Sequence, residues 1–340
     1  MGINTLVKDG FIEKLHVETK ILEIPETKGN FNHNPSITRD ESGQIWISLR
    51  SNTVQVQKNL GLIGDDNPAS AHYINHLYVG KFNEDTYETT ELKEITPVDK
   101  KYFLWGIEDV RIFFRDGKLH GIGVLVDTSE GKKKVTQTEI IIDHKTGKYT
   151  LFKNHGQPFG HTEKNWGPPT PASELFDFAY SPTQIVKGDE VIGKNYDGSI
   201  HGGTQLLPYK DGWLTIAHIV TNVKGQKHYI SQALFRNKEG FTTHMSQTFH
   251  LDIGWREHLK ESVEFISGAV WSKDKEGEEI LLTLGVKDVL CGAVKIPINL
   301  LKIEPIADVV YYNIKFSEEP SRDQEPIESL ISSGHVRINS

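Results

Sequence analysis

Residues 110–126 read VRIFFRDGKLHGIGVLV, two β-rich runs separated by Asp116-Gly117. Branched and aromatic side chains favour strands, and an Asp-Gly pair between two such runs is typical of a tight hairpin turn. The stretch therefore predicts a β-hairpin. Helical periodicity is scarce elsewhere in the chain, so this short unit is the pattern from which the fold has to be built.

The hairpin pattern recurs at 37–50 (ITRDESGQIWISLR), 204–220 (TQLLPYKDGWLTIAHIV) and 268–286 (GAVWSKDKEGEEILLTLGV). A further strand pair can be placed after each hairpin, at 77–82, 138–152, 228–244 and 291–305, and 176–186 gives a shorter fifth unit. Two hairpins make one four-stranded blade, so we predict an all-β fold, a five-bladed β-propeller. The prediction is a single domain over 1–340, with blades roughly within 30–310. Uneven spacing of the units leaves open a β-sandwich followed by a second β domain.

Three segments fit no predicted blade: 52–72, 156–171 and the tail 318–340. Loops of such length in a compact fold are often functional rims or lids.

Charge and cysteine content narrow the function classes. The 340 residues carry a net charge of -8 with acids and bases interleaved, which predicts no nucleic-acid partner and no polybasic membrane contact. Cys291 is the single cysteine, and the N-terminus lacks a signal-peptide apolar core, so we expect a soluble, cytoplasmic protein. A homo-oligomer is compatible with the sequence.

Polar clusters stand immediately before the first strand of each predicted unit. Because the innermost strands of a propeller line its central channel, clusters far apart in sequence would meet around one axis. The five clusters are 32–35 (NHNP), 106–111 (GIEDVR), 163–166 (EKNW), 201–204 (HGGT) and 264–268 (EFISG).

The cluster Glu108-Asp109-x-Arg111 carries the most chemistry. A carboxylate beside an arginine is held ionised, while one in a desolvated channel can stay protonated, so adjacent acids on opposite strand faces could divide these roles. Asp109 is expected to share a face with Arg111. An Asp-Arg pair that only ties a blade together is the structural alternative. Lys164 would suit an anionic group such as phosphate, although Glu163 and Lys164 also fit a solvated turn.

Aromatic residues near the same positions favour a sugar ligand, since sugars present flat C–H faces ringed by hydroxyls. Each of these aromatics could equally be core: Trp105, Trp166, Phe176, Phe178, Tyr180 and Trp255. The histidines at 33, 201, 218 and 228 lack metal-ligand spacing, so no metal is predicted.

Three segments resemble glycoside hydrolase family 130, over roughly residues 30–300. GIEDVRIF (106–113) is similar to its E-D-P-R motif, with Val110 in place of proline. GGTQLLPYKDGWLTIAHIV (202–220) resembles its glycine-rich blade start, and LLTLGVKD (281–288) its last blade, where Asp288 is the matching acid. EKNWGP (163–168) resembles related propeller glycosyltransferases more closely.

The resemblance implies a five-bladed propeller acting on β-mannosides, mostly by inverting phosphorolysis and in some members by hydrolysis. It makes Asp109 the general acid, acting through a sugar hydroxyl, and Arg111, Lys164 and His218 binders of anion or sugar. It implies no cofactor, with inorganic phosphate as a co-substrate. Related glycosidases place an acid where this chain has Asn34, which disfavours a carboxylate nucleophile.

We therefore expect a carbohydrate-active enzyme that performs inverting glycosyl transfer at a β-mannoside-like bond, by phosphorolysis or hydrolysis. A propeller glycosyltransferase with an activated sugar donor and a non-catalytic sugar-binding propeller are the alternatives. The predicted catalytic residues are Asp109 and Glu108. The predicted substrate-binding residues are Asn34, Arg50, Arg111, Glu163, Lys164, Asn165, Tyr180, His201, His218 and Asp288.

Overall fold

The computed structural model describes part of the chain, and for some of these residues only the backbone. The described ranges are 13–15, 17–25, 27–28, 31–52, 55–57, 61–63, 74–100, 103, 106–127, 134–156, 165–168, 178–180, 184–187, 190–194, 200–223, 226–240, 242–251, 264–286 and 290–305.

Within these ranges the protein is almost entirely β-structure, which confirms the predicted all-β class. One turn of 3-10 helix spans Ile298–Leu301. The strands, in chain order, are β1 (Glu13–Leu15), β2 (Lys20–Ile21), β3 (Phe31–Arg39), β4 (Ile45–Asn52), β5 (Gln55–Gln57), β6 (Gly61–Ile63), β7 (Asn75–Phe82), β8 (Thr89–Pro97), β9 (Ile107–Arg115), β10 (Lys118–Asp127), β11 (Lys134–Asp143), β12 (Lys148–Gly156), β13 (Phe178–Tyr180), β14 (Gln184–Lys187), β15 (Glu190–Lys194), β16 (Ile200–His201), β17 (Leu207–Tyr209), β18 (Gly212–Val223), β19 (Gln226–Arg236), β20 (Thr242–Met245), β21 (Phe249–Leu251), β22 (Glu264–Trp271), β23 (Glu279–Val286), β24 (Leu290–Pro297) and β25 (Glu304–Pro305).

The hairpin predicted at 110–126 is confirmed. Strands β9 and β10 pair antiparallel, with Arg115 opposite Lys118 and only Asp116-Gly117 between them. Both turn residues have positive φ, 51° and 68°, as a two-residue turn matched to the twist of the strands requires. The hairpins predicted at 37–50, 204–220 and 268–286 are also present, as β3–β4, β17–β18 and β22–β23.

The first large sheet consists of two four-stranded meanders. Its strand order is β3-β4-β7-β8-β12-β11-β10-β9, and the meanders join where β8 and β12 run parallel for two residue pairs. Strand β8 was not foreseen from the sequence. Each meander therefore begins with its inner strand, β3 or β9, and ends at the outer junction.

The remaining strands form smaller sheets and one more eight-stranded sheet. Strands β13, β14 and β15 form a three-stranded sheet at the predicted short unit, and β5–β6 form a hairpin inside the segment 52–72 that was assigned to no unit. Strands β18 and β19 anchor the second eight-stranded sheet. The last sheet has the order β2-β24-β23-β22, so an N-terminal strand supplies its outer edge.

The prediction of one strand pair over 291–305 is wrong. Strand β24 ends at Pro297, the 3-10 turn follows, and β25 pairs with β20 of a different sheet. Lys302 has φ 46°, and this left-handed residue turns the chain away from β24.

Buried hydrogen bonds join strands that are not neighbours in any sheet. Ser267 Oγ and Thr283 Oγ1 both donate to the carbonyl oxygen of Pro35 at 2.7 Å, joining the last sheet to the first meander. Ser48 Oγ donates to the Val110 carbonyl at 2.8 Å, joining the two meanders. Gln205 Nε2 donates to the carbonyls of Ile37 and Ala269. Strand β3 therefore packs against both β9 and β22.

None of the helices in the described ranges has the length and apolar character that crossing a lipid bilayer requires.

Candidate active site

The acid pair lies on a β-bulge at the start of β9. Opposite β10, Glu108 pairs with Val124 and Arg111 with Ile122, so the two residues between them face a single glycine, Gly123. Asp109 has φ 49° at this bulge. A bulge inserts an extra residue and breaks the alternation of side chains, which re-aims the residues next to it.

The bulge corrects one expectation from the sequence. Glu108 and Asp109 were expected on opposite faces of the strand, but both reach the same guanidinium, that of Arg50. Arg50 Nη1 lies 3.0 Å from Asp109 Oδ1, and Arg50 Nη2 lies 3.4 Å from Glu108 Oε1. Strict alternation holds only for a regular strand, and this one is irregular at the acid pair.

Asn34 completes the environment of Asp109. Its amide Nδ2 donates to Asp109 Oδ1 at 2.8 Å, so Oδ1 accepts from both Asn34 and Arg50. Asn34 has φ 51° and lies at a register shift between His33 and Ser36 on β3, which repeats the bulge geometry of Asp109 on another inner strand. Both side chains are thereby turned toward the same centre.

Asp109 is ionised at neutral pH in this arrangement. Burial, the largest single influence, would raise its pKa, but Arg50, His33 and the hydrogen bond from Asn34 together outweigh burial and hold the pKa well below its usual range. The resting form of Asp109 is therefore a proton acceptor rather than a proton donor.

A second cluster surrounds Arg111, whose side chain is 2% exposed. Its Nη2 donates to Asn165 Oδ1 at 3.4 Å, and its guanidinium carbon lies 5.0 Å from the ring centroid of Phe265. Burial lowers the pKa of Arg111 to about 10, and Asp109 opposes that shift, so Arg111 stays positively charged at neutral pH. Asn165, with φ 64°, is a third site residue in the left-handed region.

Three rings stack beside Arg111. His201 lies over His218 with centroids 5.3 Å apart, and His218 lies over Tyr229 at 5.1 Å. The edge of His218 also meets Phe265 at 5.1 Å. Burial first, then His201 and Arg111, lower the pKa of His218 well below its usual value, so this imidazole is neutral at neutral pH.

Three buried polar atoms of this region have no hydrogen-bond partner among the described residues: Asn34 Oδ1, Arg111 Nε and His218 Nδ1. Buried polar groups in proteins are normally paired, so an unpaired set at one centre suits a polar ligand. The set offers an acceptor, a charged donor and an imidazole nitrogen, which match hydroxyl or oxyanion groups.

The structure brings most of the predicted residues together. Asn34, Arg50, Glu108 and Asp109 form one cluster, Arg111, Asn165, His201 and His218 form the second, and the charges of Asp109 and Arg111 interact. Glu163, Lys164 and Asp288 lie outside the described residues. Tyr180 lies in β13, where only the backbone is described. Within the parts of the chain that the structure describes, no group of three or more acid, histidine or cysteine side chains could hold a metal ion.

The sequence did not indicate Asn75, Gly285 or Tyr229 as site residues, whereas Phe265 belongs to the predicted cluster 264–268. Asn75 Oδ1 accepts from Arg50 Nε at 2.7 Å. One signal was present, since Asn75 begins a strand just as Asn34 and Asp109 stand near strand starts. Because β4 and β7 are adjacent antiparallel strands, the start of β7 lies beside the end of β4, where Arg50 stands.

A separate cavity of about 1190 Å³ lies among hairpin turns, away from the acid pair. Its polar side chains already bond one another: Arg39 binds Glu84 at 2.9 Å and donates to the Trp271 carbonyl, and Glu84 accepts from the Lys273 backbone. Groups paired in this way have little capacity left for a ligand. The acid pair and the arginines therefore mark the stronger candidate site.

No protein-family model matches the chain, and no curated protein matches its sequence. Solved structures do match the fold. A β-1,2-mannobiose phosphorylase from Listeria innocua is 15% identical, with a TM-score of 0.50 over 86% of this chain and 94% of that one.

Two proteins from Leishmania mexicana also match. A mannose phosphorylase in complex with phosphate ion is 11% identical, with a TM-score of 0.50 over 86% of this chain and 91% of that one. A GDP-Man-dependent mannosyltransferase is 12% identical, with a TM-score of 0.52 over 87% and 94%. These structures confirm the resemblance to propeller glycosidases and phosphorylases that the sequence motifs predicted. At such low identity they show the fold alone.

Proposed function

We propose that the chain is an enzyme of carbohydrate chemistry that transfers a glycosyl group with inversion at a β-mannoside-like bond, with Asp109 as the proton-transfer residue. The observation that carries the proposal is the bonding of Asp109: one carboxylate, largely buried, ionised by Arg50 and held by Asn34 at the centre where inner strands meet. A group in which position and protonation state are both controlled is typical of a catalytic acid or base.

The proposal includes a five-bladed propeller. Four-stranded meanders β3-β4-β7-β8 and β9–β12, the short sheet β13–β15, the sheet around β18–β19 and the sheet β2-β24-β23-β22 supply one candidate blade each. The inner-strand bonds at Pro35, Val110 and Ile37 support radial packing around one axis. In that arrangement the acid pair and the arginine cluster share one polar channel.

Because Asp109 is ionised in the resting enzyme, it can accept a proton at once, which suits transfer from a sugar phosphate donor to an acceptor hydroxyl. An acceptor hydroxyl attacks the anomeric carbon of the donor, the bond from that carbon to the leaving phosphate oxygen breaks with its electron pair, and Asp109 takes the hydroxyl proton. In reverse, phosphate attacks and the protonated Asp109 returns the proton to the departing sugar oxygen. Neither direction needs a carboxylate nucleophile, in keeping with Asn34 at the first predicted blade.

Arg111 supports an anionic leaving group or co-substrate. Its buried charge lies beside neutral His218 and beside Asn165, and a guanidinium matches phosphate oxygens through paired N–H donors. Inorganic phosphate and a nucleotide diphosphate both carry that group. An ionised Asp109 can act as a general base toward an acceptor hydroxyl, as transfer from a nucleotide sugar requires. A nucleotide-sugar glycosyltransferase is therefore the second candidate after the phosphorylase.

The test is a donor panel with matched variants. Purified protein is incubated with mannose 1-phosphate or GDP-mannose and with mannose, glucose or N-acetylglucosamine as acceptor, and released phosphate or nucleotide is measured. We expect turnover of one donor, and we expect Asp109→Asn to lower it at least about 100-fold, the usual contribution of a general acid or base. Asp116→Asn, in the turn of the same hairpin, should leave turnover unchanged.

Two outcomes would contradict the proposal. If the unaltered protein turns over none of these donors and instead binds mannosides without reaction, the sugar-binding alternative replaces it. If Asp109→Asn retains full turnover, the proton passes through another group and the assignment of Asp109 is wrong.

A further inference from the structure

Asn75 is the first residue of β7 and is 5% exposed. Its cross-strand partner is Asn52, at the end of β4 and 2% exposed. The two amide oxygens converge on one donor: Arg50 Nε lies 2.7 Å from Asn75 Oδ1 and 3.2 Å from Asn52 Oδ1. Asn75 makes the shorter of the two bonds.

The hydrogen bond at Nε helps to set the orientation of the guanidinium plane. A guanidinium is planar and carries its N–H donors in a fixed fork, so a bond at Nε together with a bond at Nη1 sets the orientation of the whole plane. In that orientation Nη1 meets Asp109 at 3.0 Å and Nη2 meets Glu108 at 3.4 Å. Without the shorter bond at Nε, only the 3.2 Å bond to Asn52 holds this end of the guanidinium, and the plane can turn so that Nη1 moves from Asp109 toward Glu108.

Asn75 also touches the chain that leads into the acid pair. Gly106 lies directly against the backbone of Asn75, and a Cβ at Gly106 would overlap the Asn75 carbonyl oxygen. Gly106 has φ +73°, a conformation that glycine adopts without strain. The side chain of Asn75 thus holds Arg50, while its backbone limits where the strand of Glu108 and Asp109 begins.

We propose that Asn75 is a positioning residue that acts through Arg50. It fixes the plane of the guanidinium so that Nη1 bonds Asp109 rather than Glu108. The inference deepens the proposed function and rests on it for the consequence in catalysis, whereas the contact itself can be measured without any turnover. A residue that positions a catalytic carboxylate affects the rate of the chemical step more than substrate affinity, because a small misplacement costs rate.

Two measurements test the role of Asn75. The first is hydrogen exchange of the Arg50 Nε–H at neutral pH, followed by ¹⁵N NMR and assigned with Arg50→Lys. The second is kcat and KM for the donor that the panel identifies. The variants are Asn75→Ala, which removes the nearer acceptor and leaves only Asn52 at 3.2 Å, and Asn75→Asp, which keeps an oxygen in reach of Nε. Thr215→Ala is the matched control, since it removes a buried hydroxyl that bonds the Thr204 carbonyl at 3.0 Å in another sheet.

In Asn75→Ala we expect the Arg50 Nε–H to exchange at least about tenfold faster, the effect of losing one buried hydrogen bond. We expect kcat to fall about tenfold with KM unchanged, as for a misplaced catalytic group. Asn75→Asp should keep the slow exchange of the Arg50 Nε–H. Thr215→Ala should leave the exchange rate, kcat and KM unchanged. If Asn75→Ala does not fold, Asn75→Leu keeps the side-chain volume without the oxygen and gives the same test.

Slow exchange of Arg50 Nε–H in a folded Asn75→Ala or Asn75→Leu variant would overturn the inference, and so would an unchanged kcat while Asp109→Asn is inactive. The second of these results leaves the proposed function standing. Full turnover in Asp109→Asn has the opposite meaning: it removes the proposed function, while the NMR measurement still decides whether Asn75 holds Arg50.

Discussion

Arg50→Met is expected to lower the free energy of unfolding at neutral pH by about 3–5 kcal/mol, the usual cost of leaving a buried charge without its partner. Arg50 is 7% exposed and contacts both Asp109 and Glu108. Methionine keeps the apolar stem and removes the guanidinium, so the loss comes from the two acids, and from the Asn75 and Asn52 oxygens that lose this donor, rather than from a cavity. Urea unfolding followed by tryptophan fluorescence measures it.

The pH dependence of the same variant has a definite sign. In the unaltered protein the pKa of Asp109 is lowered, so its contribution to stability is present above the unfolded value of about 4 and is lost as the pH falls below that value. Without Arg50, only His33 and the hydrogen bond from Asn34 still oppose burial, so the pKa of Asp109 is higher than in the unaltered protein. The difference in stability between the variant and the unaltered protein should therefore shrink as the pH falls through the unfolded value of about 4.

Two controls distinguish the cost of leaving a buried acid without its partner from the cost of losing any ion pair. Lys81→Met removes a neighbouring cation whose partner, Glu91, is exposed, and it should change stability by less than about 0.5 kcal/mol. Adding Asp109→Asn to Arg50→Met should restore part of the lost stability, because the unpaired acid is then neutral. Equal losses in the single and double variants would show that Arg50 does not stabilise the protein through the charge of Asp109.

Gly285→Ala is expected to disturb both the fold and the site. Gly285 on β23 lies against Asn34 of the first meander; an added Cβ would overlap Asn34 Oδ1 and stand 2.7 Å from the Asn34 backbone nitrogen. Backbone cannot yield as a flexible side chain can, so we expect a loss of about 1–3 kcal/mol or more. The displaced Asn34 should also lose its bond to Asp109, which would lower turnover.

Gly292→Ala is the matched control on the neighbouring strand β24. The nearest atom to its Cβ would be Leu284 Cδ2 at 3.2 Å, the end of a side chain that can move. We expect a change of less than about 1 kcal/mol and normal turnover. If the two variants lose equal stability and turnover, the close contact between β23 and Asn34 is not the reason that position 285 requires glycine.

The hairpins could be predicted because their determinants are local. Alternating or fully apolar runs around Asp116-Gly117 specify strands and a turn within a few residues, and the structure shows β9 and β10 there. The contact between Asn34 and Asp109 also had a signal in the sequence, because both residues stand near the start of a predicted hairpin.

Other features depend on partners distant in sequence. The pairing of β25 with β20, and of β2 with β24, joins segments that no local pattern connects. The bulge at Asp109 places both acids beside Arg50, whereas strict alternation would separate them. The contact of Asn75 with Arg50 arises because the end of β4 and the start of β7 lie side by side.

The sequence by itself determined that this protein is built of β-hairpins and that polar, chemically capable residues stand where the hairpins begin, because turn chemistry and strand propensity act over a few residues. Only the tertiary structure decided which of those residues touch and which are charged. The pKa of Asp109 depends on burial and on Arg50, His33 and Asn34, and these distances are set when separate strands pack together.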